Sequence, residues 1–198
     1  DLTGKRALVT GAGNGIGKAI AGYLVSCGAR VTALDLDGDA LCAVQREIGC
    51  DVLVANLLDC EAAVASVKAR MAEKGAFDLL VNCAGVARFE KIMETTKAAF
   101  DFQIGVNYRA VALLSDAVAH ALVAANKPGS SVHISSQSSP LPLADHLVYS
   151  SSKAAVDHMA RIQAFELGPL GIRVNTVRPT VVLTELVRKS WDPAGLDK

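Results

Sequence analysis

Tyr149 and Lys153 stand one helical turn apart in the stretch Tyr149-Ser-Ser-Ser-Lys153, where a Ser/Pro-rich loop runs into a long helical pattern. Side chains with that spacing share a helix face, with Cβ atoms about 5–6 Å apart. A free phenol ionises at about pH 10, too high for easy proton exchange at neutral pH. A fixed ammonium beside it favours the phenolate. This predicts a lowered tyrosine pKa and a group able to protonate a carbonyl oxygen or, in reverse, deprotonate an alcohol. Ordinary solvated helix faces carry the same spacing, so its meaning depends on partners elsewhere in the chain.

A second set of residues could hold a ligand for that chemistry. Gly11-Ala-Gly-Asn-Gly-Ile-Gly17 lies between a strand pattern and a helix pattern. There Gly11, Gly15 and Gly17 let backbone approach a ligand, and the helix N-terminus offers unpaired N–H groups to a pyrophosphate. A P-loop is excluded because Lys18 is followed by Ala19, and the strict G-x-G-x-x-G fails because Gly11-x-Gly13 leads to Ile16. Asp35 ends the next strand pattern, where a carboxylate accepts ribose hydroxyls and repels a 2′-phosphate. Leu36 and Asp37 follow it, and Asn14 in the loop is uncharged, so no cation is placed for that phosphate. The expected cofactor is NAD rather than NADP, with a loop or helix-capping aspartate as the structural alternative for Asp35.

The elements that must position these groups alternate strictly. Strands are expected at 6–10, 30–35, 51–55, 77–82, 131–135 and 172–177. Helices are expected after Gly11–Gly17 and at 39–47, 60–73 and 148–167, with one long helical pattern from about Thr95 to Asn126. This order predicts an α/β Rossmann fold, a single domain over 1–198 with a doubly wound parallel sheet in the order 3-2-1-4-5-6 and helices on both faces. A ligand then lies beyond the carboxyl ends of the strands. After Pro179 little patterned sequence remains, which leaves the sixth strand a bare edge and suggests a missing C-terminal piece.

Hydrophobic residues make up 51% of the 198 residues and aromatics only 5%, a composition for buried strands under Ala-rich helices. Lys+Arg and Asp+Glu are both 20, so no basic excess points to nucleic acid and no polybasic run to a membrane surface. Asp116 and His120 break the longest apolar region, Ala110–Ala125, which excludes a transmembrane span there. The five cysteines have no zinc spacing, and no basic-plus-apolar leader opens the sequence, so a reducing, cytoplasmic setting and no metal are expected.

Thr10-Gly-x-x-x-Gly-x-Gly17, Asn82-Cys-Ala-Gly85, Ser136 and Tyr149-x-x-x-Lys153, in that order on one alternating fold, resemble the short-chain dehydrogenase/reductase family. His133-Ile-Ser-Ser-Gln137, Asp145-His-Leu-Val-Tyr149 and Arg178-Pro-Thr-Val-Val-Leu-Thr184 look like its L-xylulose reductase (dicarbonyl reductase) branch. The resemblance implies that Tyr149 is the general acid or base and that Lys153 lowers its pKa and holds the nicotinamide ribose. Ser136 would bind the same substrate oxygen, and Asn107 would hold a water in the relay to Lys153. It implies cofactor contacts at Gly11, Asn14, Gly15, Ile16, Gly17, Asp35, Asn56, Leu57, Asn82, Ala84, Gly85, Tyr149, Lys153, Pro179, Val182 and Thr184. It also implies a substrate pocket walled by Ser136, Gln137, Leu143, His146, Tyr149 and Trp191. A homo-oligomer, dimer or tetramer, paired through the long helices, is implied in the same way.

Cys83, Asn56, Arg178 and Thr180 depart from the common family pattern, which has asparagine, aspartate, asparagine and glycine there; Thr180 matches the L-xylulose reductase branch. That branch uses NADPH, against the charge of Asp35. The expected activity is NAD-linked interconversion of a secondary alcohol and a ketone on a small polar substrate, such as L-xylulose and xylitol. The alternatives are an NADPH-dependent dicarbonyl or L-xylulose reductase and a non-catalytic dinucleotide-binding scaffold. An epimerase or dehydratase is disfavoured because those relatives more often carry T-G-x-x-G-x-x-G, against Gly15 and Gly17 here.

Overall fold

The computed structural model describes residues 1–184. Its strands are β1 (Arg6–Thr10), β2 (Arg30–Asp35), β3 (Asp51–Val54), β4 (Leu79–Asn82), β5 (Gly129–Ile134) and β6 (Ile172–Val177). All pair in parallel, in the expected order β3-β2-β1-β4-β5-β6. The connecting helices are α1 (Gly15–Ser26), α2 (Gly38–Ile48), α3 (Cys60–Lys74), α4 (Lys97–Ile104), α5 (Ala110–Ala124) and α6 (Leu147–Leu167).

Alternation along the strands divides the core between the two faces. Ala7 and Val9 of β1 pack with Ala21 of α1 and with Leu41 and Val44 of α2. Leu8, between them, packs with Val67 of α3 and with Leu114 and Val118 of α5. The strand expected from Phe77 starts only at Leu79. Asp78 turns its carboxylate to the N–H of Arg6, 2.9 Å away, while Phe77 drops into the core.

The long helical pattern is not one helix. A π turn, Gly105–Arg109, separates α4 from α5 and carries Asn107. Its cause is local. Gly105 leaves room for Leu58, which a Cβ would meet at 2.9 Å, and Asn107 bonds the backbone of Val86 in the loop after β4. A π turn adds a residue to the helix and re-aims the turns beyond it, a device frequent at functional sites. Asn107 thus sits at a break in the helix, bonded to the backbone of another segment.

Candidate active site

The β1–α1 loop is built so that no side chain fills it. Gly11 and Gly15 have φ of +67° and +54°, a region that favours glycine. A Cβ on Gly17 would sit 2.1 Å from the Gly11 carbonyl oxygen, and one on Gly11 would sit 2.7 Å from the Ala84 Cα. The helices beside it are capped by side chains: Asp37 accepts from the Ala40 N–H before α2, and Asp59 from the Ala62 N–H before α3. At α1, Asn14 makes no capping bond and the first turn holds no acidic residue, so the N-terminal N–H groups stay open to an anion. Asp35 has a task that its position in the sequence does not reveal. Its Oδ2 accepts from the Gly13 N–H at 2.9 Å and its Oδ1 from the Asp37 N–H at 3.1 Å. The carboxylate thus braces the glycine loop while facing the same cleft.

That cleft, about 460 Å3, runs from Asp35, Leu36 and Asn56 past the glycine loop to Ser136, Tyr149 and Lys153. Every residue expected to contact a cofactor lines it except Asn82. Lys153 is the only lysine or arginine among the described residues that do so. Asn82 points instead into the sheet's far side, where its Nδ2 donates to Ser115 Oγ at 3.1 Å and to His133 Nδ1 at 3.0 Å. Strand alternation sends it there, and its place at the cleft is taken by Cys83 and Ala84. The N–H groups of Cys83 and Ala84 donate to Thr10 Oγ1 at 3.0 and 3.1 Å, which ties β4 to β1. With Nδ1 accepting, His133 donates from Nε2 to Gln163 Oε1 at 3.0 Å, and burial holds its pKa below the ordinary value. The oxygen of Asn56, one of the expected cofactor contacts, accepts from the Leu58 N–H at 3.0 Å.

At the other end Tyr149 and Lys153 come from the first turns of α6. Lys153 is 4% exposed; its Nζ donates to the Ile134 carbonyl at 2.9 Å and lies 5.9 Å from the centre of the Tyr149 ring. Burial lowers the ammonium to about 8. Burial also raises the Tyr149 phenol, against an opposing hydrogen bond from Ser136. The direction for Tyr149 is thus the reverse of the expected one, because desolvation of the phenolate outweighs the hydrogen bond from Ser136. Ser136 Oγ accepts from Ser138 N and Ser138 Oγ at 3.1 and 3.0 Å, which leaves its own proton to give.

Asn107 is fully buried and does not line the cleft. Its Nδ2 donates to the Val86 carbonyl (2.8 Å) and Ser152 Oγ (3.1 Å), and its Oδ1 accepts from the Val86 N–H (2.8 Å). It fastens the loop after β4 to α6. A Cβ on Gly85 would stand 3.3 Å from Lys153 Nζ and 3.5 Å from Asn107 Oδ1, so a side chain there would crowd the ammonium.

The remaining residues expected to wall a substrate pocket stand apart from the main cleft. His146 lies beside Tyr149, ring centres 6.2 Å apart, and stacks on Phe89 at 4.1 Å. Gln137 is half-buried and its N–H donates to the Pro179 carbonyl at 3.0 Å; Leu143 is exposed. Trp191 falls outside the described residues. Phe89 is not legible in the sequence, since nothing in its own loop marks it as a partner of His146. Among the described residues no three His, Cys, Asp or Glu are grouped to hold a metal ion, and no helix is long and apolar enough to cross a membrane.

The arrangement fits a dinucleotide. An elongated cleft offers open helix N–H groups and a bare loop in its middle, a carboxylate at one end, and a hydroxyl, a phenol and an ammonium at the other.

A family model described as short chain dehydrogenase matches residues 5–194. The D-erythrulose reductase of Gallus gallus is 46% identical over 192 residues, 96% of this chain and 76% of that protein. The L-xylulose reductase of Bos taurus is 44% identical over 194 residues, 97% of this chain and 78% of its own length. Among solved structures, one described as a putative NAD(P) dependent gluconate 5-dehydrogenase of Beutenbergia cavernae, with NADP bound at low occupancy, superposes with a TM-score of 0.90. It is 32% identical, and the match covers 96% of this chain and 77% of that one.

Proposed function

The chain belongs to the short chain dehydrogenase family, near its L-xylulose reductase branch, and on that premise we propose that it is an NAD-linked oxidoreductase interconverting a secondary alcohol and a ketone on a small sugar or polyol. The observation that carries this reading is the convergence of Ser136, Tyr149 and Lys153 at one end of a cleft whose other end is Asp35. A bound nicotinamide supplies or accepts the hydride. Gly11, Gly15, Gly17 and the open start of α1 hold its phosphates, Asp35 its adenosine ribose, and Lys153 its second ribose.

In reduction, Ser136 donates to the substrate oxygen as negative charge grows there, and Tyr149 delivers the proton. The phenol is protonated at neutral pH and so has the proton to give, while burial makes it a weaker acid than a free phenol. Oxidation needs the phenolate and gains as pH rises. NAD is preferred over NADP because Asp35 places a carboxylate at that end of the cleft and no arginine or lysine among the described residues lines it to pair a 2′-phosphate. The exposed Leu113, Ile162 and Phe165 on α5 and α6 support pairing of copies through these helices, and five free thiols suit the cytoplasm.

The test is turnover recorded by nicotinamide absorbance, with L-xylulose and erythrulose as oxidants of NADH and with xylitol as reductant of NAD. Reduction of a ketose by NADH supports the reading. Dinucleotide binding without turnover on any of these, by a chain whose Tyr149→Phe variant behaves identically, would make it a binding scaffold instead.

A further inference from the structure

Asp157 lies on α6 one turn beyond Lys153, with only 6% of its side chain accessible. A single oxygen, Oδ2, receives both the Ser139 hydroxyl and the Arg178 Nε, the latter at 2.8 Å. Its other oxygen, Oδ1, is buried without a partner among the described residues. A half-satisfied buried carboxylate is a poor device for stability, since desolvation offsets much of what the pairing gains. Its connections are more telling. Ser139 donates its N–H to the Ser136 carbonyl at 3.1 Å, and Ser138 puts two donors on Ser136 Oγ. Arg178 immediately precedes Pro179, whose carbonyl accepts from Gln137. One carboxylate oxygen therefore joins three segments: the helix of Tyr149 and Lys153, the loop of Ser136, and the start of the segment running to Thr184.

We propose that the Ser139–Asp157–Arg178 clamp is a positioning device, which sets the Ser136 hydroxyl against Tyr149 and ties the Pro179–Thr184 segment to the same helix. It rests on the reading of Ser136 as a hydrogen-bond donor to substrate. Neither Arg178 nor Asp157 lines the cleft; they act through Ser136 and Pro179. Burial pushes the Asp157 carboxyl up, but the hydrogen bond from Ser139, the nearby Ser135 hydroxyl and the charge of Arg178 outweigh it and hold it below its ordinary value, so the clamp stays ionised at neutral pH.

The experiment compares the full chain with Arg178→Ala, Arg178→Lys, Ser139→Ala and Ser136→Ala. Amide hydrogen exchange without ligand reads the clamp directly. Exchange over 135–139 and 178–184 should quicken by about tenfold in Arg178→Ala and Ser139→Ala, stay near wild type in Arg178→Lys, and leave β1 and α1 unchanged. Unchanged exchange in those two segments, or a uniform rise throughout, overturns the clamp. Kinetics then read its purpose. Arg178→Ala should lower kcat by about tenfold with little change in KM, and should cost nothing further when Ser136 is already alanine. Losses that multiply overturn action through Ser136. A kcat untouched by Ser136→Ala alone overturns the reading of Ser136, and with it the purpose given to the clamp, whatever the exchange shows.

Discussion

The two ends of the cleft are made of different materials. Around β1, β2 and β3 the cleft is lined by bare glycines, open N–H groups at the start of α1, apolar side chains, Asn14 and Asn56, with Asp35 as its one charged side chain among the described residues. Before β4, Thr10 and Thr32 are the only buried polar side chains among the described residues. From β4 onward the interior instead holds Asn82, Asn107, His133, Ser136, Ser152, Lys153 and Asp157, most of them bonded to one another's segments. The diphosphate is the same in NAD and NADP, and main-chain N–H groups recognise it with little help from side chains. Proton transfer needs particular groups held in a low-dielectric site, and there each partner fixes the next. The first end should fail by steric intrusion, the second by loss of a single atom.

The sharpest separation of the two ends is Tyr149→Phe. Removing one oxygen should cut kcat by about a thousandfold while NADH affinity holds; stopped-flow turnover and a binding titration measure both. A comparable loss of affinity would merge the two ends into one. Next is Gly17→Ala, whose Cβ would collide with the Gly11 carbonyl. It should weaken dinucleotide binding by about a hundredfold, roughly 3 kcal/mol, and calorimetry showing affinity within error of wild type would remove the bare-backbone account. Smaller again is the stability of Lys153→Met. Burial lowers the folded ammonium from 10.5 to about 8, so the charged form costs the fold below about pH 8 and the cost fades as pH rises toward 10.5. That cost is at most ~3 kcal/mol, and losing the bond to the Ile134 carbonyl returns ~1 kcal/mol of it. Lys153→Met, though inactive, should melt several degrees higher at pH 7, with the gain shrinking above pH 8. A lower melting temperature at pH 7 would contradict it.

The first end of the site is the more legible in the sequence. Glycine spacing after an apolar run specifies a strand, a turn and a helix start with almost no other solution, and the strict strand–helix alternation fixes where those turns gather. At the second end only the residues themselves can be read. Tyr149 and Lys153 share a helix, so spacing along the chain reports their proximity. Asn107 with Val86, Asn82 with His133, and Asp157 with Arg178 meet across segments distant in sequence, and no periodicity announces such meetings. The sign of the Tyr149 shift escapes the sequence for the same reason. A cation one turn away is visible there, whereas the burial that sets the direction belongs to the packed fold. The break between α4 and α5 likewise depends on Leu58 and Val86, not on any feature of the helix pattern alone.

The most direct test of the central claim is a calorimetric titration of the full chain with NADH and NADPH side by side. Asp35 braces the glycine loop and leaves its charge at the cleft, with no lysine or arginine among the described residues lining that end to offset a 2′-phosphate. NADH should therefore bind at least about tenfold more tightly, a difference of ~1.4 kcal/mol. NADPH binding as tightly or more tightly would contradict the role given to Asp35 and turn the reading to an NADPH-dependent carbonyl reductase.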